Sequence, residues 1–114
     1  MRDDIYQELI QVARSQSLIT YDDLNQQLNL GLNFNMPPDR ELIGNWLGEI
    51  SENEVRAKRH MLSALVCHKE GYGVGGPGKG FYEYARTLGA HDGGDDLIFW
   101  AKEVKWLHKY WSGH

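Results

Sequence analysis

Cys67 and His68 stand side by side, a thiol next to an imidazole, and could supply a nucleophile and a base if a third group joined them. On a strand, adjacent side chains point to opposite faces, so the two cannot pair with each other locally. His60 and His68 form a second candidate pair for acid–base work on a phosphodiester, with Lys79 as the cation. Eight residues separate the histidines, too far along a strand to share a metal, and His91, His108 and His114 show no ligand spacing. A metal site is therefore not expected, and neither is a cofactor.

The segment Gly73-Val74-Gly75-Gly76-Pro77-Gly78-Lys79-Gly80 nearly spells a phosphate-binding P-loop. It fails at the last position, where Ser or Thr would ligate magnesium and Gly80 has no side chain. Gly71 to Gly76 also satisfies Gly-x-Gly-x-x-Gly, but no complete β-α-β unit surrounds it. The plainer expectation is a flexible wing or hairpin tip. Its free amides, Lys79 and the start of a helix at Phe81 would form an anion site.

These residues need elements to position them, and the periodicity supplies a sequence of short helices. Ile5, Leu9 and Val12 recur at helical spacing after Asp3 and Asp4, predicting a helix to about Arg14. Thr20 can cap a second helix carrying Tyr21, Leu24 and Leu28, ending near Gly31. Pro38 suits the first turn of a third, with Leu42, Ile43, Trp46, Leu47 and Ile50 inward. Ser51-Glu52-Asn53-Glu54 has capping-box spacing, which predicts a further turn presenting Arg56, Lys58 and Arg59 to solvent. Met61 to His68 reads as the main buried strand. Phe81, Tyr84, Ala85 and Leu88 restart a helical stripe stopped by Gly89, and a last helix follows Asp95 and Asp96. Its aromatic residues Phe99, Trp100, Trp106, Tyr110 and Trp111 go round more than one side, meaning deep burial or a partner surface, with burial the simpler expectation.

With 114 residues, 41% of them apolar, the chain has material for one core. The expected fold is α+β: a small winged-helix-like domain, mainly helical, with a short β-hairpin or small sheet. Residues 1–90 would form the core and 91–114 a C-terminal helix packing on it. A lone cysteine and a charged start without an apolar stretch imply a cytoplasmic protein, and no apolar run approaches the roughly 20 residues that span a bilayer.

The net charge of −4 argues against a generic polyanion binder, yet it is unevenly spread. Residues 1–54 hold ten carboxylates against three arginines, whereas residues 55–114 hold nine Lys or Arg against six carboxylates. A basic surface can thus exist on an acidic whole.

Ile19-Thr20-Tyr21-Asp22-Asp23-Leu24, Ile43-Gly44-Asn45-Trp46-Leu47, Cys67-His68-Lys69 and the glycine segment before Phe81 fall in one order. That order resembles the C-terminal winged-helix domain of O6-alkylguanine DNA alkyltransferases and alkyltransferase-like proteins, over most of residues 18–90. The resemblance implies DNA binding, with Tyr21 pressing on the duplex and Cys67 at the place of the acceptor thiol. Val66 stands where that family has proline, Lys69 where it has arginine, and Glu41 where it inserts an arginine finger, with Arg40 adjacent. Alkyl transfer is accordingly not expected. The leading expectation is a non-catalytic nucleic-acid-binding module, DNA in the first instance, contacting phosphates through Tyr21, Arg40, Arg56, Lys58, Arg59, Lys69 and Lys79. The alternatives are a protein-interaction or regulatory module, and a small enzyme acting on nucleic acid through Cys67 or His60 and His68.

Overall fold

A computed structural model describes residues 1–70 and 73–114. Among them are five α-helices: α1 (Asp3–Arg14), α2 (Tyr21–Gln27), α3 (Pro37–Arg56), α4 (Lys79–Thr87) and α5 (Asp96–Ser112). Three strands, β1 (Ile19–Thr20), β2 (Val66–Glu70) and β3 (Gly73–Gly76), form a mixed sheet in that order. β1 lies parallel to β2, with Ile19 beside Val66, and β3 returns antiparallel, with His68 beside Gly76. The α+β class, the dominance of helix, the hairpin and the C-terminal helix are as the sequence implied.

The caps explain why the helices begin where they do. Thr20 Oγ1 accepts the Asp23 N–H at 3.1 Å, and Asp95 accepts the Ile98 N–H at 3.0 Å, each satisfying an amide with no partner inside the helix. Pro37 and Pro38 open α3, where their missing or unneeded N–H groups cost nothing. Gly89, at φ +74°, turns the chain out of α4. α2 stops at Gln27, before Gly31; Asn25 instead clamps the following loop through both the carbonyl and the amide of Leu32, at 2.8 and 3.0 Å.

Three sequence expectations give way. Ser51 does not cap a new turn, because α3 continues unbroken to Arg56 and the buried Ser51 hydroxyl meets that of Ser63 at 2.6 Å. A side-chain partner twelve residues away outweighs the local capping pattern. Met61 to His68 is not one strand: Leu62–Leu65 forms a 3-10 turn, and the strand begins only at Val66. Continuous burial of those residues satisfied either conformation, since an unbroken apolar run carries no period. The glycine segment is more than a flexible hairpin tip, for Gly73–Gly76 is itself a strand paired with β2; Gly71 and Tyr72 lie outside the described residues.

The core joins Ile5 and Leu9 of α1, Leu24 of α2, Ile50 of α3, Leu62 and Leu65 of the 3-10 turn, and Leu107 of α5, all fully buried. α5 packs against α1 and the 62–65 turn. Trp100 extends that attachment, its indole N–H donating to the Ala64 carbonyl at 2.8 Å while its ring covers Gly76. No described helix is long and apolar enough to cross a membrane.

The connection from α4 to α5 is fixed by buried His91. Its Nδ1 accepts the Gly93 N–H at 3.0 Å, so its Nε2 donates to Asp96 at 2.8 Å, and Arg86 reaches the same carboxylate at 2.6 Å. The His91 hydrogen bond first, and then Arg86, hold Asp96 below its ordinary value of 3.8. The stability this carboxylate contributes is therefore complete above about pH 4 and lost as the pH falls through its depressed pKa. Asp96→Asn should flatten that acid limb in urea titrations between pH 2 and 5; an unchanged limb would exclude Asp96 as its source.

Candidate nucleic-acid interface

The start of α2, the exposed face of β2, the N-terminal half of α3 and the start of α4 enclose a cleft of about 1220 Å³. Tyr21 occupies the first position of α2 because Thr20 caps it, and its ring lies 4.8 Å from that of His68, tilted by 33°. Phe34 meets the same tyrosine edge-on at 6.1 Å. His68 in turn presses on Gly78: a β-carbon there would come within 2.8 Å of His68 Nε2, so glycine permits this approach. Gly78 precedes α4 without a side-chain cap, and the space over Gly80 is open.

Four of the sequence-predicted contact residues, Tyr21, Arg40, Lys69 and Lys79, line this one cleft. Lys79 is 90% exposed, with a loose partner in Glu83 at 3.6 Å. Arg40 is exposed and donates to the Phe34 carbonyl at 3.1 Å. Asp22, Glu41 and Glu49 lie on the same walls, so the cleft as a whole is close to neutral and its cations form only part of the lining.

The other three predicted contacts lie elsewhere. Arg56 follows Arg40 by sixteen residues along α3, about 24 Å at 1.5 Å per residue, and pairs with Glu52 at 2.5 Å. Lys58 is exposed just beyond the end of α3, with φ +62°. Arg59 does not extend outward but is only partly exposed: it folds back onto Glu54, which is fully buried and also accepts the Tyr6 hydroxyl at 2.8 Å. Its guanidinium lies over Trp111, 5.8 Å from the ring centre.

The candidate catalytic residues do not converge. Cys67 is fully buried behind the cleft, and burial pushes its thiol up to about 11. Burial likewise raises the Tyr21 phenol, with the nearby thiol adding to the effect and the Gly78 backbone opposing it. His68 points into the cleft, on the opposite face of β2 from the thiol, as strand geometry requires. His60 is on another side, hydrogen-bonded through Nδ1 to Glu103 of α5 and stacked on Trp106 at 4.2 Å. Glu103, itself buried, is raised by desolvation, with His60 opposing. Among the described residues no group of three His, Cys, Asp or Glu side chains could hold a metal ion.

Sequence reasoning missed much of the cleft's lining, including Phe34, Asn45, Ser63 and Tyr84. One signal for it was present. Gly44 and Gly48, one turn apart on α3, leave the helix bare on a single side, and a β-carbon at 48 would already touch Tyr84 at 3.4 Å. Comparison with protein-family models, curated proteins and solved structures finds no match for this chain.

Proposed function

We propose that the protein is a non-catalytic nucleic-acid-binding module whose ligand is DNA, held at the cleft between α2, α3, β2 and α4. The observation that carries this reading is the convergence of Arg40, Lys69 and Lys79 around an aromatic pair, Tyr21 and His68, on one open surface. The cations meet phosphate oxygens, the uncapped start of α4 adds backbone amides, and the aromatic rings offer faces to sugar or base. The resemblance to alkyltransferase-like proteins points the same way, with Tyr21 at the place of the residue that presses on DNA. The burial of Cys67 speaks against alkyl transfer, because the nucleophile in such chemistry is an accessible thiolate. Arg59, engaged with Glu54, takes no part.

Three phosphate contacts set a modest salt dependence. Each neutralised phosphate contributes about −0.9 to the slope of log affinity against log salt, so a slope of about −2.7 is expected with labelled duplex DNA. Between 50 and 200 mM salt, affinity should then fall by roughly 40-fold. Lys69→Glu with Lys79→Glu should weaken binding at least tenfold, while Glu41→Arg, which removes a repelling carboxylate from the cleft, should strengthen it. Absence of binding at 50 mM salt, or an affinity indifferent to both changes, would eliminate the reading.

A further inference from the structure

α5 is apolar on more sides than the core uses. Glu103, Leu107 and Trp111 are buried, but a second apolar stripe, Leu97, Ala101 and Val104, follows at steps of four and three and remains exposed or half-buried, while His108, next in that row, reaches the Ser17 carbonyl at 2.9 Å. Leu97 is 66% exposed and its neighbour Ile98 57%, the greatest exposures of any large apolar side chain on a described helix. A shallow groove of about 650 Å³ runs along this side past Trp100 and Val104. Alongside lie Lys102, Lys105 and Lys109, again at steps of three and four, all exposed and in no ion pair among the described residues. Among the described residues no carboxylate lines the groove, in contrast to the mixed cleft, although the chain carries a net charge of −4.

We propose that this side of α5 docks an acidic amphipathic helix of another protein, with leucine-type residues seated on the Leu97–Val104 stripe and Asp or Glu opposite the three lysines. The spacing is that of helix-on-helix recognition, with anchors at i, i+3/i+4 and i+7. A helix of 17 residues offers about 25 Å of contact, enough for three such turns. Exposed Leu97 and Ile98 favour a protein over a phosphate chain, which would leave them in water. A second copy of this chain is the poorer occupant, because two-fold pairing of α5 would set lysine against lysine. Nor does α1 supply the complement, since its exposed side carries Asp3, Asp4, Gln7, Gln11 and Arg14 with no apolar residue among them.

The probe is a fluorescein-labelled synthetic amphipathic helix of about 18 residues, with leucine on one stripe and glutamate flanking it, against the same peptide with lysine for glutamate. Fluorescence anisotropy with the full chain should show the glutamate peptide binding at least roughly tenfold more tightly. Lys105→Glu with Lys109→Glu should invert that preference and leave duplex DNA binding at the cleft unchanged, which separates this proposal from the previous one. Leu97→Ser with Ile98→Ser should weaken the glutamate peptide about fivefold or more; all four positions are exposed, so the fold should persist in each variant. Equal affinity for the two peptides, or indifference to the serine changes, would overturn the proposal. So would displacement of the peptide by duplex DNA, or a reversible dimer in sedimentation that Leu97→Ser abolishes.

Discussion

Replacing Glu54 by alanine is expected to cost about 3 kcal/mol of folding stability, the lower end of the range for breaking a buried ion pair. Glu54 has no exposure, and its carboxylate takes two hydrogen bonds from Arg59, at 3.0 and 2.8 Å, one from Tyr6 at 2.8 Å and one from Asn53 at 3.1 Å. Removing it strands a guanidinium and a phenol whose partners were all in one place. Arg59 keeps 26% of its side chain in water, which holds the penalty at that lower end. For a chain of this size, the melting temperature should fall by roughly 10–15 °C. Tyr6→Phe removes one donor and should cost only about 1 kcal/mol. Urea midpoints of the three proteins check this; a loss below about 1 kcal/mol for Glu54→Ala would mean that Arg59 swings freely into water.

Cys67 should react with iodoacetamide at least about 100-fold more slowly in the native protein than in urea. A thiol moved from 9.0 to about 11 holds about 100-fold less thiolate at neutral pH, and the thiolate is the reacting species. Its lack of exposure slows the reaction further. The sign of the linkage follows: with its folded pKa raised, the buried thiol contributes stability that is complete below about pH 9 and lost as the pH climbs through about 11. Timed labelling read by mass spectrometry gives the ratio directly. Cys67→Ala should leave DNA affinity within about twofold of the parent, as the thiol is not among the residues lining the cleft. Native labelling as fast as that of the unfolded chain would refute the protected thiol and reopen the enzyme alternative.

Residue types and short spacings were enough to place most of this fold. The caps at Thr20 and Asp95, the prolines opening α3, the stop at Gly89 and the stripes of α1 and α4 act within one or two helical turns, so they are visible in any window of the chain. The opposed faces of Cys67 and His68 were legible for the same reason, because alternation along a strand is local. Packing between distant segments decided the rest. Ser51 gave up its capping role to Ser63, Arg59 turned inward to a carboxylate that Tyr6 also serves, and His60 found Glu103 forty-three residues away. The cleft itself is assembled from stretches between residues 20 and 84 that share no sequence pattern, and only their burial against a common core sets Tyr21, Arg40, His68, Lys69 and Lys79 around one opening. Helix ends answer to neighbours along the chain, whereas a binding surface answers to neighbours in space.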